Sequence, residues 1–323
     1  MSASDSRPTL ALAIGDPAGI SPELTAKVIA LPEVRQAAKV IVIGDRRVFD
    51  EGARIAAVQE KPEAFVDLGN LDPASIQRGV ASREGGASAL TNYRKALSMV
   101  SEGQAQAVCF TPFNKQAMRL AHPHYDDEIR FTATEIGFDG TATEFNILEG
   151  LWNARVTSHI PLKDVSAALS GAAIVEALEL TTHALAAAGF NPPRVGVAAL
   201  NPHAGDGGNF GREEIDVIEP AVRAARAKGL PADGPYPADT VFVRAKAGQF
   251  DAVLTMYHDQ GQIAMKLLGF DRGVTLLGGF PFPICTPAHG TAYDIAGQGK
   301  ANVGAARAAL LLAAKMAAVA TRH

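Results

Sequence analysis

Near its carboxyl end the chain reads HGTAYDIAGQGKAN (residues 289–302), directly before a run rich in Ala and Leu. Three glycines, a His, an Asp and an Asn fall within these fourteen residues. Such a stretch suits a turn that leads into a helix, because Gly frees the backbone and Asn caps helix starts. It suits equally a loop wrapped around a nucleotide, where glycines let the backbone approach a ligand. The rest of the chain has to separate the two readings.

The chain has 323 residues, 47% of them hydrophobic, and mixes 30 basic with 34 acidic side chains for a net charge of −4. That length and apolar content suit one large domain or two lobes. No basic block is present, which argues against nucleic acid or an anionic membrane as a partner and suits an enzyme of small molecules. The two cysteines, Cys109 and Cys285, sit in apolar stretches. They make no disulfide framework and fit a reducing compartment. No run approaches the ~18–20 apolar residues of a membrane span. The opening MSASDSRPT lacks the basic-then-apolar order of a signal peptide. A cytoplasmic protein is expected.

Short apolar runs alternate with longer amphipathic ones. TLALAIG (9–15), KVIVIGD (39–45) and AVCFTP (107–112) read as buried strands, as do EFNILEG, ARVTSH, VGVAAL, DAVLTMY and GVTLLGG further on. Helices are expected from about Pro22, over 86–103, and near 171–188, 212–228 and 303–320. Continuous apolar strands alternating with helices imply an α/β fold of mostly parallel sheets, covered on both faces. No repeat or linker stands out, so two lobes would be joined by more than one crossing of the chain.

Three of the eight histidines directly follow strand-like runs: His159 after ARVTS, His203 after VGVAALNP and His258 after DAVLTMY. In parallel α/β sheets, ligands bind beyond the carboxyl ends of the strands. One His at a strand end reads as a loop residue. Three at equivalent ends can form a divalent-metal site with positions left open for substrate. Asp206 and Asp259 stand beside two of them and suit the role of fixing imidazole tautomers. His183 reads as structural in a helix, and the His122-x-His124 pair lacks a third ligand nearby.

GDPAGISPEL (15–24) reads as a strand-to-helix turn, with Gly15 and Gly19 for tight geometry, Ser21 as N-cap and Pro22 in the first turn. The same turn can face a cleft with its backbone amides. TPFNK (111–115) would bring Asn114 and Lys115 to the same sheet edge, and Lys266 is expected to start a helix eight residues after His258. A Lys beside a bound cation suits acid–base work or carboxylate binding.

GDPAGISPE, TPFNK, SHIPLKD, NPHAGDGG, DGPYPADT, YHDQGQIAMK and HGTAYDIAGQGKA occur in an order and spacing that resemble the 4-hydroxythreonine-4-phosphate dehydrogenase family of vitamin B6 synthesis. The resemblance runs from about residue 9 to 315. The opening stretch is also similar to the adenosine-binding loop of the isocitrate/isopropylmalate dehydrogenase fold, HGSAPDIAGKGIAN. It therefore implies two α/β/α lobes with a cleft between them, residues 1–130 with 298–323 and residues 131–297. The second lobe would carry the metal ligands and the contacts of a homodimer with a shared active site. By the resemblance, His159, His203 and His258 bind a divalent metal (Zn, Mg, Mn or Co), one of them serving the neighbouring subunit. The implied chemistry is oxidation of a secondary alcohol by NAD and loss of CO2 from the resulting β-keto acid. His289, Gly290, Thr291, Asp294 and Asn302 would hold the NAD. A carboxylate at Asp294 accepts from the ribose hydroxyls of NAD and repels the 2′-phosphate of NADP. Lys266 resembles the family's substrate-contacting Lys, and Asp239 and Asp259 its cleft aspartates, with Lys115 as a further catalytic candidate.

The departures lie in the substrate pocket. The family's GHTE corresponds to TATE (132–135), which puts Ala133 in place of His beside Thr134; a second TATE follows at 141–144. Thr275 stands where the family has Asn, and Ile284 where its LPFIRTS has Arg. One lost charged hydrogen bond costs ~1.5–3 kcal/mol. Two enzymatic readings follow: a 4-hydroxythreonine-4-phosphate dehydrogenase, or a sister enzyme acting on a phosphorylated sugar acid or a cis-dihydrodiol carboxylate. A ligand sensor is a third reading, opposed by the joint presence of metal and NAD residues.

Overall fold

The computed structural model describes residues 6–320. The chain divides into two compact units, Met1–Thr143 with Val274–His323, and Glu144–Gly273. These bounds differ from 130/131 and 297/298. The segment after Gly273 joins the first unit because β11, defined below, pairs with a strand of that unit.

The first unit runs β1 (Thr9–Ala13), α1 (Ser21–Ile29), α2 (Pro32–Ala37), β2 (Lys39–Gly44), α3 (Arg46–Ala56), β3 (Ala64–Asp67), α4 (Arg83–Ser101), β4 (Ala107–Phe110), α5 (Lys115–Ala121) and α6 (Glu128–Ile136). The second holds β5 (Thr143–Leu148), β6 (Leu151–Arg155), α7 (Val165–Ala168), α8 (Gly171–Ala187), β7 (Val195–Ala198), α9 (Glu219–Ala227), β8 (Ala232–Tyr236), α10 (Ala238–Lys246), β9 (Ala252–Thr255) and α11 (His258–Gly269). The chain then returns to the first unit with β10 (Val274–Gly278), β11 (Ile284–Pro287) and α12 (Gly304–Ala320).

Strand order in the first unit is β3-β2-β1-β4-β11-β10, parallel except where β10 turns back against β11. In the second it is β5-β6-β9-β7-β8, parallel except for the β5–β6 hairpin. The mostly parallel α/β class read from the apolar runs is the class observed. Leu10, Leu12 and Val42 are completely buried, as a parallel strand covered on both faces requires. Each such aliphatic side chain contributes ~1.5–3 kcal/mol of burial. In the first unit Tyr93, Phe110 and Phe131 pack with Val108, Leu277 and Ile284. In the second, Leu151, Ala198, Val241, Phe250 and Val253 form the corresponding core.

Several local expectations change. Ser21 is the first residue of α1 rather than its cap, and its hydroxyl donates to the Pro112 carbonyl at 2.8 Å. The helix expected over 212–228 opens with a π-helical turn, Glu214–Ile218, before α9. Lys266 lies in the last turn of a helix that already begins at His258. Among the described residues no single helix is long and apolar enough to cross a membrane.

Candidate functional site

β9 lies between β6 and β7, with Arg155 paired to Thr255 and Val197 to Leu254. His159, His258 and His203 therefore leave the carboxyl ends of three neighbouring parallel strands. Beyond β6 and β9 the two chains stay tied: Thr157 donates its amide (3.1 Å) and hydroxyl (2.7 Å) to the Met256 carbonyl. That tie brings the rings of His159 and His258 to 5.6 Å between centroids. Two imidazoles bound through one nitrogen each at ~2.1 Å to a tetrahedral ion place their centroids roughly 5–6 Å apart. The pair fits a shared cation.

The sequence HDQG (258–261) does four separate things. His258 supplies the ring. Asp259 accepts from its Nδ1 at 2.7 Å, which puts a proton there, so that in the neutral ring Nε2 carries the lone pair. Gln260 donates to the Ala199 carbonyl at 2.6 Å and accepts the Met256 amide at 2.7 Å, joining the ends of β7 and β9. Gly261 lets α11 lie on β6, since a Cβ there would stand 2.2 Å from Asn153 Oδ1.

His203 is presented differently. His203, Ala204, Gly205, Asp206 and Gly207 all have φ between 44° and 79°, a left-handed turn containing three non-glycine residues. Such a conformation costs roughly 1–2 kcal/mol per non-glycine residue. Its partners hold it: the buried Glu214 carboxylate accepts the amides of Leu200 (2.8 Å) and Asn201 (2.7 Å) and the Asn201 side chain. Asp206 accepts from Asn209 Nδ2 at 3.0 Å within the turn. The His203 ring lies 6.2 Å from that of Phe210. Among the described residues no group of three His, Cys, Asp or Glu converges as a metal site. The chain assembles two of its three expected imidazoles.

The glycine-rich loop belongs to the first unit, and α1 organises it. Glu23, 1% exposed, accepts the amides of Gly297 (3.0 Å), Gly299 (3.3 Å) and Ala301 (3.2 Å). Lys27 donates to the carbonyls of Gly299 and Ala301 at 2.6 and 3.0 Å. Ile20 donates its amide to the Thr291 carbonyl at 3.0 Å, and Gly19 is needed because a Cβ would stand 2.7 Å from Thr291. The Tyr293 hydroxyl donates to buried Asp16, whose carboxyl burial holds above its ordinary range against that hydrogen bond. Asn302 accepts the Gly304 amide at 2.8 Å at the start of α12. So the helix-leading turn is real, but it explains only the end of the loop.

The remainder fits a ligand. His289 bonds through Nδ1 to the Gly290 carbonyl at 3.0 Å, while its Nε2 is buried with no partner. Gly290 has open space where a Cβ would stand and no unusual backbone angle. Asp294 is exposed on the short turn Tyr293–Ile295. A cavity of about 480 Å³ abuts the loop at Gly297 and extends past Pro17, Glu23, Gly52 and Arg78, a size in the small-molecule range.

The other expected residues fall as follows. Asp239 stands exposed in the first turn of α10, beyond β8, and Lys266 is exposed on α11. Lys115 pairs with Glu128 at 3.5 Å. Ala133 is half-buried on α6, and the exposed Thr134 spends its hydroxyl on the Arg130 carbonyl at 2.9 Å. Thr275 is half-buried on β10. Ile284 is fully buried, paired with Leu277 and Val108 in the first unit's core. Glu23, Lys27 and Gln260 were not singled out by the sequence. Glu23 lies inside GDPAGISPE, which offered the only signal.

Parallel units that carry imidazoles, carboxylates and a glycine-rich loop at their strand ends are the arrangement of an α/β enzyme. The model of the pyridoxal phosphate biosynthetic protein PdxA family matches residues 36–313, and the chain belongs to that family. A relative from Rhizobium meliloti named "Putative 4-hydroxythreonine-4-phosphate dehydrogenase 2" is 60% identical, over 96% of this chain and 94% of its own. The crystal structure of a 4-hydroxythreonine-4-phosphate dehydrogenase from Klebsiella pneumoniae superposes with a TM-score of 0.84 at 33% identity, covering 98% of this chain and 99% of that one. A terephthalate 1,2-cis-dihydrodiol dehydrogenase from Burkholderia xenovorans superposes with a TM-score of 0.66 at 31% identity, covering 93% and 95%. These names support an oxidoreductase of the dehydrogenase type.

Proposed function

We propose that the chain is an NAD- and divalent-metal-dependent dehydrogenase that oxidises the secondary alcohol of a β-hydroxy acid, after which the β-keto acid loses CO2. The observation that carries the reading is the His159–His258 pair, 5.6 Å apart with Asp259 on the second ring. His159, His203 and His258 are the proposed ligands of the ion. A bound divalent cation supplies charge stabilisation for oxygen anions during oxidation and decarboxylation. Asp259 holds His258 in the tautomer that can ligate. Lys266 is proposed to contact the substrate carboxylate, and Asp239, Asp259 and Lys115 to handle protons. Because only two imidazoles converge among the described residues, the third ligand is assigned to a second copy. Ile263 and Leu267, 61% and 84% exposed one turn apart on α11, supply an apolar face for such a homodimer. A cytoplasmic enzyme without nucleic-acid or membrane partners is part of the same reading.

His289, Gly290, Thr291, Asp294 and Asn302 are the proposed NAD contacts, supported by the orphaned His289 Nε2 and the open face at Gly290. Asp294→Ala is expected to raise the Kd for NAD ~10–100-fold, one charged hydrogen bond's worth, and to narrow the preference over NADP. Equal affinity of the unaltered protein for both dinucleotides would contradict the role of Asp294.

The substrate reading is of the 4-hydroxythreonine 4-phosphate type. The sister reading is favoured by one observation: Ile284, in place of an Arg, is wholly enclosed among apolar side chains and gives an anion no contact. Chelation tests the metal requirement. Dialysis against a strong chelator should abolish NADH formation, and one equivalent of divalent ion per subunit should restore it. Full turnover by protein shown by elemental analysis to be metal-free would reject the proposal.

A further inference from the structure

The least expected side chain near the imidazole pair is Arg155. It ends β6, four residues before His159, and its side chain is only 2% exposed. Burying a guanidinium costs several kcal/mol unless its donors are met, and here all three nitrogens are. Nε donates to Ser158 Oγ at 3.0 Å, one terminal nitrogen donates to Asn146 Oδ1 at 2.6 Å, and the other pairs with Glu144. Asn146 Oδ1 also accepts from Gln262 Nε2 at 2.7 Å. Ser158 immediately precedes His159, and Gln262 lies one helical turn after His258 on α11.

We infer that Arg155 is a positioning residue: through Ser158 on one side and Asn146–Gln262 on the other, it sets the separation of the His159 and His258 rings for a divalent cation. A purely structural role explains the group poorly. Buried ion pairs of this kind are often replaced by apolar residues at no loss of stability, or with a gain, and β5 and β6 are already joined as a hairpin. The guanidinium's fixed donors, by contrast, engage Ser158 directly before one ring and, through the shared acceptor Asn146 Oδ1, reach Gln262 on the helix that carries the other. This inference rests on the proposed metal site.

The test is a titration of metal-stripped full-length protein with Co2+, read by affinity and by the visible absorption of the bound ion, on the wild type and on Arg155→Met and Arg155→Lys. Arg155→Met should raise the Kd for Co2+ ~10–100-fold, the usual consequence of losing a partner behind the ligands, and change the absorption spectrum. The thermal midpoint of the metal-free protein should fall, because Glu144 and Asn146 lose a buried donor, so the affinity and the spectrum of the folded variant are the readouts that report on positioning. Arg155→Lys, which keeps the charge without the directed donors, should fall between. If Arg155→Met does not fold, Gln262→Leu cuts only the link to α11 and should raise the Kd at least ~3-fold. Folded Arg155→Met with wild-type affinity and spectrum overturns the inference, as does unchanged affinity in Gln262→Leu. A wild type whose affinity survives His159→Ala would overturn the metal-site reading itself, and this separates the two failures.

Discussion

His258→Ala is expected to abolish turnover while leaving a folded protein. His258 begins α11, its side chain is 34% exposed, and it is hydrogen-bonded to Asp259. Removing a half-exposed ring costs little stability, within ~0.5–1 kcal/mol. The functional cost is of another size. Partners behind a metal ligand already matter ~10–100-fold in affinity, and loss of the ligand itself should exceed that. With the ion gone, developing negative charge on oxygen loses its main stabilisation, and a fall in kcat of ~10³-fold corresponds to about 4 kcal/mol of barrier. Asp259→Asn should show a milder version, because the ring is then misoriented rather than absent. The check is metal content by elemental analysis beside kcat. His258→Ala that keeps one ion per subunit and near-normal turnover would remove His258 from the site.

Glu23→Ala is expected to have the largest effect on the nucleotide. The carboxylate accepts three backbone amides of the loop at residues 297–301 and is itself buried. Each buried donor left unpaired costs ~1–3 kcal/mol. Water entering the gap recovers part of this, so a net loss of ~3 kcal/mol in stability is expected, with the Kd for NAD rising at least ~10-fold. Cation binding at the His159–His258 pair should not change, because those residues belong to the other unit. Glu23→Gln, which keeps one acceptor oxygen, should lose less of both. Dinucleotide titration and thermal unfolding read the two effects; a folded Glu23→Ala protein with wild-type NAD affinity would show that Glu23 does not shape the binding loop.

These two residues differ in how visible they were. His258 follows an apolar strand directly, and a strand end in a parallel sheet is where chemistry collects, so the ring was legible. The convergence of His159 with His258 was legible too, since both leave such ends. That the His203 ring stays apart from them within the described residues was not, because its position depends on a left-handed turn that Glu214 stabilises from eleven residues away. Glu23 reads as an ordinary acidic residue in a first helical turn, where it complements the helix dipole. Its partners lie 274 to 278 residues further along the chain, and no local pattern carries that distance. Arg155 reads as the polar end of a strand, and only the neighbouring Asn146 and Gln262 reveal its enclosure. The strands β3, β8 and β11 were not read from the sequence; in β8 the Gly and Pro of ADGPY lower strand propensity, and β11 is only four residues ending in Pro. Lys266 was expected at a helix start, whereas the helix already begins at His258, directly beyond β9, and Gln260 in its first turn ties the strand ends through its side chain.

The most direct measurement is NADH formation, followed by its absorbance, from NAD and divalent metal with 4-hydroxythreonine 4-phosphate, phosphorylated sugar acids and cis-dihydrodiol carboxylates. Metal-dependent NADH formation with release of CO2 from at least one of these substrates is the expected result, and the substrate that reacts decides between the two enzymatic readings. A metal-loaded, NAD-binding protein that reduces no NAD with any of them would contradict the assignment of a decarboxylating dehydrogenase.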